Sequence, residues 1–327
     1  MPFQFSNRHC SVYLLMIVAL LWSGTALGAS KQILEAAEVK AGPTGLDDAI
    51  WNEAEAIQVP FEGKEVFAGQ KASVATKAVY TDQAIYFLFK WKDPTLSVVK
   101  GAWKYGGSKW EHQKGNEDRI SLLFEINRIN NFATKGCAIV CHVPPGASNA
   151  KNGKFGTSTA AEKGDLWHWK AARSDPAGVA DDTWLTKITD EKGGRKSDDG
   201  SGGDQRNMTE DKSAPKYMPA PGQTLGKHDI LLAAHAVEIP SDMVFKTGDT
   251  LTYRMPKKHE GSRGDIQAES HYAGGGWTVM LSRALDTGNE DDVAFNTRRK
   301  YNFAMALFDD SGDENSYDSE VITLQFK

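Results

Sequence analysis

Two neighbouring runs of residues constrain the fold of this chain more than any other feature. Residues 72–80 and 84–91 are rich in β-branched and aromatic side chains, and residues 81–83, Thr-Asp-Gln, separate them as a turn. This pattern is typical of a β-hairpin. A hairpin is a pair of antiparallel strands, so at least part of the fold is expected to be an antiparallel sheet.

Further short runs of strand-forming residues follow, separated by Gly, Asp, Asn and Pro. Their spacing is typical of a β-sandwich or barrel, and helices look minor. Long loops are expected at about residues 143–163 and 191–222, where the composition is polar and rich in glycine. The predicted strands cover residues 118–126, 228–237, 249–253, 264–269, 277–283, 291–295, 301–308 and 321–326.

The N-terminus resembles a secretory signal peptide. A basic residue, Arg8, precedes the apolar run at residues 12–22, and small residues follow up to Gly28 and Ala29. We expect cleavage after about residue 28 and a periplasmic mature protein, with residues 35–327 forming one domain. An uncleaved membrane anchor is the alternative, although the run is short for a span. No later segment is apolar enough to cross a membrane.

The charge of the chain argues against nucleic acid as a partner. Its 327 residues carry a formal net charge of -5, with a pI near 5.9. The positive and negative residues are spread along the sequence, not gathered in blocks. A soluble protein that docks with other proteins is the simpler expectation.

Cys137, Cys141 and His142 form the motif with the clearest chemistry. Two thiols followed directly by a histidine resemble the c-type haem attachment signature C-x-x-C-H with one extra residue between the cysteines. The thiols would form thioether links to the porphyrin, and His142 would be an axial ligand of the iron. The alternatives are a Cys137–Cys141 disulfide, which an oxidising compartment permits, and a less favoured zinc site. Cys10 lies in the predicted signal peptide.

Longer motifs resemble the ethylbenzene dehydrogenase-related haem-binding domain family over most of the chain beyond residue 40. They occur in order and are specific to this family. The matching segments are residues 136–138, 141–142, 164–173 (Gly-Asp-Leu-Trp-His-Trp-Lys-Ala-Ala-Arg), 180–182, 261–266, 276–279 and 283–288.

The resemblance implies an antiparallel β-sandwich related to carbohydrate-binding module family 9. It also implies one haem, as in the haem b subunits of periplasmic molybdenum dehydrogenases and their c-type relatives. In b-type members a methionine upstream of the Trp-His-Trp-Lys segment and a distant lysine hold the iron. Here the methionine position falls near residues 155–157, which contain no methionine, so His142 is the natural replacement.

Several residues are candidates for the sixth iron ligand. His271 is ranked first because it lies where the family places its second ligand, and Met218 and His168 follow. Lys257 and Lys258 are further candidates by analogy with the family. For each of them, a structural or solvent-exposed role is the simpler interpretation.

The resulting expectation is a periplasmic c-type cytochrome that transfers electrons and is not itself an enzyme. It would carry one covalent haem c, with haem b as the fallback. Its partners would be periplasmic redox proteins, including subunits of a molybdenum oxidoreductase. The alternative is a haem-free β-sandwich that binds a ligand, with a Cys137–Cys141 disulfide and tryptophans that stack on sugar rings. Adjacent carboxylates at residues 181–182 and 291–292 suggest cation binding but more often cap turns or face water.

Overall fold

The fold is an antiparallel β-sandwich with long connections and few, short helices. The computed structural model describes residues 32–141, 155–188, 193–312 and 316–327. The predicted signal peptide lies outside these residues. Residues 31–327 form one compact unit.

Twenty strands and two one-turn α-helices make up the described residues. The strands are β1 Gln32–Glu38, β2 Ile57–Gly63, β3 Lys71–Tyr80, β4 Ala84–Lys92, β5 Ala102–Tyr105, β6 Trp110–Gln113, β7 Arg119–Asn127, β8 Lys163–Lys170, β9 Asp181–Leu185, β10 Arg195–Ser197, β11 Asp204–Arg206, β12 Tyr217–Pro219, β13 Ala236–Glu238, β14 Thr250–Thr252, β15 Arg254–Pro256, β16 Gln267–Tyr272, β17 Gly276–Ala284, β18 Lys300–Phe308, β19 Tyr317–Ser319 and β20 Ile322–Phe326. The helices are α1 Phe132–Lys135 and α2 Ala138–Cys141, and 3-10 turns lie at Ala49–Glu53, Glu65–Phe67, Asp175–Ala177, Lys227–Asp229, Ala233–His235 and Ser262–Gly264.

Most strands belong to one long sheet that folds back on itself. Its order is β10-β9-β8-β7-β18-β19-β2-β3-β4-β17-β16, and β1 and β20 form a second link between β3 and β18. The ring of Phe87 on β4 lies 5.9 Å from Trp167 on β8 and 6.1 Å from Phe124 on β7. Since these strands are not neighbours in the sheet, the contacts join two facing layers and define the core between them.

The strongest predictions from the sequence are confirmed. β3 and β4 pair as an antiparallel hairpin, with Val79 opposite Tyr86. Strands also occupy the predicted runs that end near residues 126, 283, 308 and 326.

In the described residues, no helix is long and apolar enough to cross a membrane.

Two predicted strands are wrong, and the predicted loop at residues 191–222 contains short strands. Residues 228–237 hold two 3-10 turns and only the start of β13, because His228 and Asp229 adopt positive φ angles of 59° and 57°. Residues 291–295 are irregular, since Asp292 and the backbone of Val293 bind the side chain of Arg283. The loop carries β10, β11 and β12, each three residues long.

Candidate functional site

A sharp bend between α1 and α2 positions Cys137. Helix α1 ends at Gly136, whose φ of 55° favours glycine, and a Cβ there would lie 3.2 Å from side-chain atoms of Ala304 and Val321. The bend turns Cys137 inward. Its side chain is buried in a small apolar cluster with Phe132 and Val140, separate from the main core.

The thiol of Cys137 is engaged in a disulfide bond. The predicted roles of Cys141 and His142 cannot be compared with the structure, because the side chain of Cys141 and all of His142 lie outside the described residues. A sulfur that is held in a disulfide is not available to form a thioether with a vinyl group.

His168 is the only ligand candidate that lies beside Cys137. It is 3% exposed on β8, between β7 and β9, and its ring stacks on Phe308. Its Nδ1 lies 3.1 Å from Nη2 of Arg195, which donates the hydrogen bond. Burial, together with the nearby charges of Lys170 and Arg195, holds the pKa of His168 well below its usual value. The imidazole is therefore neutral.

A small cavity lies between Cys137 and His168. Its volume is about 40 Å³, and its other lining residues include Phe155, Leu166 and Arg195. Sites for small molecules and cofactors commonly measure about 300–1,000 Å³. In the described part of the chain, the space beside Cys137 thus admits a water molecule or two but not a porphyrin.

The remaining ligand candidates lie elsewhere. His271 is exposed on β16, the last strand of the sheet path, and pairs with Thr278. Met218 is half-buried on β12, opposite Val237, and Lys257 and Lys258 are exposed. None of these four lines the cavity beside Cys137.

The tryptophans of the sequence motifs are core residues. Trp167, Trp169 and Trp277 are among the largest fully buried side chains, so they offer no face to a ligand. Trp184 is half-buried, with Nζ of Lys163 lying 5.3 Å from its ring centre. The three buried tryptophans are therefore not available to stack on sugar rings, although the haem-free alternative expected this.

A much larger space crosses the outer face of β2, β3 and β4. This groove measures about 830 Å³, which lies in the range of ligand-binding sites. Because side chains alternate along a strand, the residues between the core positions of these strands point into it. They are mostly polar, and they are Gln58, Gln70, Lys71, Ser73, Lys90 and Lys92.

Hydrogen bonds orient two amides in the groove. The hydroxyl of Ser73 donates to Oε1 of Gln58 at 3.1 Å, and the hydroxyl of Tyr317 donates to Oε1 of Gln70 at 2.9 Å. Both bonds occupy the amide oxygen. The amide N–H groups of Gln58 and Gln70 are thereby directed away from these partners and are available to a ligand.

Carboxylates close one end of the groove. Asp93 and Asp309 line it, and burial raises the pKa of each above its usual value. Behind them, burial raises the pKa of Asp118 to about 7, and Asp93 adds to the rise. Lys90 and Lys92, at the rim, form no ion pair with any described residue. The groove thus combines cationic donors at its rim with carboxyl groups at one end.

The sequence analysis expected the adjacent carboxylates Asp181 and Asp182 to cap a turn or face water, but both are buried. They are successive residues of β9 and therefore point to opposite faces. Asp181 forms buried ion pairs with Lys170 and Arg263, whereas Asp182 faces Arg283. The sequence signal that could have indicated these ion pairs is the occurrence of two acidic residues within a strand whose other residues are mostly buried.

Solved structures of similar fold are carbohydrate-binding proteins. A carbohydrate-binding module of family 9 from Caldicellulosiruptor kristjanssonii in complex with glucose is 9% identical, with 90% of this chain and 96% of that chain covered and a TM-score of 0.35. A putative carbohydrate-binding protein from Bacteroides uniformis ATCC 8492 is 10% identical, with coverage of 91% and 100% and a TM-score of 0.38. These likenesses concern the fold alone. No curated protein matches the sequence significantly.

The prediction of a c-type cytochrome with a covalent haem is wrong. Cys137 is disulfide-bonded, and the cavity that it shares with His168 is too small for a porphyrin. The same cavity offers no room for the fallback, haem b.

The family assignment does not depend on the haem. The family model described as ethylbenzene dehydrogenase matches residues 48–320, which spans most of the sandwich from the first 3-10 turn to the end of β19. The motifs that carried the resemblance lie within this match. The chain therefore belongs to the ethylbenzene dehydrogenase family.

Proposed function

We propose that this protein is a haem-free ligand-binding module and that its ligand is a neutral polyhydroxylated molecule, such as a sugar. The binding site is the groove across β2, β3 and β4. The observation that carries the proposal is the groove itself, about 830 Å³ of space on a rigid sheet with polar side chains directed into it. A site that is built on strands needs little reorganisation on binding.

The hydrogen-bonding groups of the groove match the hydroxyl groups of a sugar. Each hydroxyl can donate one hydrogen bond and accept two. The N–H groups of Gln58, Gln70 and Lys90 supply donors, and the carboxylate of Asp309 supplies acceptors. A ligand with many hydroxyls can satisfy both kinds of group in one pose.

The charge of the groove favours a neutral ligand. The positive charges of Lys90 and Lys92 at the rim are balanced by Asp93 and Asp309 at the closed end. Lys71 already pairs with Glu62 at 3.2 Å. A strongly charged ligand would leave one set of these groups uncompensated.

Titration calorimetry with a panel of neutral oligosaccharides tests the proposal. We expect at least one saccharide to bind, and Lys90→Ala and Gln58→Ala each to weaken it by about tenfold, the loss for one or two hydrogen bonds. Lys109→Ala is the matched control, because Lys109 is equally exposed but lies outside the groove, before β6. Binding that is unaffected by both groove variants would contradict this site.

We further propose that the protein is exported and that Cys141 is the disulfide partner of Cys137. The chain contains three cysteines, and the third, Cys10, lies in the predicted signal peptide. A disulfide at Cys137 supports an oxidising compartment, since such bonds persist outside the cytosol. Association with periplasmic redox proteins or molybdenum-enzyme subunits stays a prediction.

Mass spectrometry of the protein purified from periplasmic extract tests both statements. We expect an N-terminus near residue 29 and, without reduction, a peptide that contains Cys137 linked to Cys141. Free thiols at both positions would contradict the disulfide, and a retained residue 1 would contradict cleavage.

A further inference from the structure

The geometry points to a calcium site, independent of the groove, at the carboxylates that surround Arg283. We propose that Asp182, Asp198, Asp291 and Asp292 bind one Ca²⁺ ion. These residues come from β9, from the turn after β10 and from the segment after β17. The fold gathers them from distant parts of the sequence.

Arg283 compensates only part of this acidic cluster. Its Nη1 donates to Asp165 at 2.7 Å and to Asp292 at 2.9 Å, and lies 3.6 Å from Asp182. Its Nη2 donates to the carbonyl oxygen of Val293. The guanidinium thus contacts three carboxylates, and Asp198 and Asp291 adjoin one of them, Asp292, so the carboxylates of this largely buried cluster outnumber its guanidinium.

Two of the carboxylates are buried and accept no hydrogen bond. Asp182 is 0% exposed and Asp198 is 3% exposed, yet neither oxygen of either residue has a hydrogen-bond partner in the described residues. Burial of an ionised carboxylate without hydrogen bonds costs several kcal/mol, and native proteins avoid it. A bound cation would supply the partner that these carboxylates lack, apart from the 3.6 Å ion pair of Asp182 with Arg283.

The oxygens lie at separations that suit one ion. Oxygens of Asp198, Asp291 and Asp292 all lie within 4.8 Å of one another, and those of Asp165, Asp182 and Asp292 do the same. Two ligands on opposite sides of a calcium ion, at about 2.4 Å each, are separated by about that distance. Asp292 belongs to both groups, so Asp182 lies in the group beside the proposed ion.

The donor set favours calcium over other metals. All candidate ligands are carboxylate oxygens, which are typical of Ca²⁺ and Mg²⁺, with no sulfur or imidazole. Oxygens from three separate segments form an irregular site, which Ca²⁺ tolerates and the octahedral geometry of Mg²⁺ does not.

Terbium luminescence and thermal unfolding of the chelator-treated full chain test the site. Tb³⁺ replaces Ca²⁺ and is excited through a nearby indole, and the guanidinium of Arg283 lies 4.6 Å from the ring centre of Trp167. We expect sensitised emission with one Tb³⁺ per chain, displaced by Ca²⁺. Calcium at 100 times its dissociation constant should raise the melting temperature by about 5 °C.

Two variants assign the binding to these residues. Asp198→Asn and Asp291→Asn should each weaken Ca²⁺ at least about tenfold, because each removes a charged ligand. Asp291 is half-buried, so its variant keeps the test valid if Asp198→Asn folds poorly. Asp309→Asn is the control, since Asp309 belongs to a different acidic cluster with Asp93 and Asp118.

Either of two results overturns the proposal. In the first, the chelator-treated wild-type protein shows no terbium emission, and added Ca²⁺ leaves its melting temperature unchanged. Protons shared between the carboxylates would then stabilise the cluster. The other is Ca²⁺ binding that Asp309→Asn weakens and that Asp198→Asn and Asp291→Asn leave intact.

Discussion

Two largely buried acidic clusters in the described residues are similar in composition and differ in hydrogen bonding. In the first cluster, Asp118 accepts hydrogen bonds from the backbone of Ser97, the backbone of Asp310 and the indole of Trp277. In the second, Asp182 and Asp198 accept none. Convergence of carboxylates is therefore not enough to indicate an ion. The unpaired oxygens distinguish the proposed calcium site from a cluster that the protein satisfies by itself.

The largest effect is expected from removing the guanidinium of Arg283, which contacts three carboxylates of the second cluster. Arg283→Met in chelator should lower the free energy of unfolding by about 3–5 kcal/mol, because it leaves buried carboxylates without a counter-charge. Urea denaturation measures the change. The exposed Arg298→Met should be nearly neutral. A small effect of Arg283→Met would mean that the carboxylates are already protonated.

A change of sign is expected for Asp182→Asn. In chelator the substitution should raise the free energy of unfolding by about 1–2 kcal/mol, because it removes repulsion among carboxylates, and in saturating Ca²⁺ it should lower it. Asp118→Asn should instead be destabilising under both conditions, by about 1–3 kcal/mol, because hydrogen bonds to Ser97, Trp277 and Asp310 are lost or reversed. Equal responses of the two variants to Ca²⁺ would remove the distinction between the clusters.

The pH dependence of stability should differ between the clusters. Burial raises the pKa of Asp118 to about 7 from its usual 3.8, so the folded protein binds this proton more tightly than the unfolded chain. The stabilisation is complete below about pH 4 and is lost as the pH rises through 7, a change of up to about 4 kcal/mol.

Urea denaturation between pH 4 and 8 of wild type and Asp118→Asn isolates this contribution. Ca²⁺ should leave it unchanged. Burial raises the pKa of Asp198 to about 8, so Asp198 should also cause a loss of stability as the pH rises. This loss should disappear in Ca²⁺, because the ion keeps the carboxylate ionised. A wild-type profile that coincides with that of Asp118→Asn would contradict the first statement.

The smallest effects concern single hydroxyls. Thr287 donates to Asp292 at 2.6 Å in the second cluster, and Thr95 donates to Asp93 at 3.2 Å in the first. Thr287→Val and Thr95→Val should each cost about 1 kcal/mol, the net value of one hydrogen bond. Only Thr287→Val should also weaken Ca²⁺, since Asp292 is a proposed ligand. Thermal unfolding with and without Ca²⁺ compares the two.

The fold was predictable where the pattern of side chains is local. The alternation in residues 72–91 determines the β3–β4 hairpin because one face of each strand must be buried. Residues 291–295 show the same alternation and form no strand. The apolar Val293 and Phe295 are buried although their segment is irregular, and the side chain of Arg283 holds this segment through the carbonyl oxygen of Val293. An alternating pattern predicts which side chains are buried, but it does not predict whether a strand or an irregular segment buries them.

The candidate sites were less predictable for two reasons. The spacing of Cys137 and Cys141 is compatible with a disulfide and with thioethers, so it could not decide between them, and the haem was the wrong choice. The acidic cluster, in turn, joins Asp165, Asp198 and Asp292, which are far apart in the sequence and meet only through the sheet. The local traces in the sequence were the adjacent pairs at residues 181–182 and 291–292, of which Asp182, Asp291 and Asp292 belong to the cluster.

The position of β1 has a consequence for how the chain is made. β1 lies between β3 and β20 and pairs in parallel with both, with Gln32 opposite Ile322 and Ala37 opposite Val79. Nearly the whole described sequence separates β1 from β20. The nascent chain therefore cannot complete its sheet until its last strand leaves the ribosome, and such long-range pairing is slow. A sheet that closes late leaves the chain unfolded for longer during synthesis, which would suit the export that we propose.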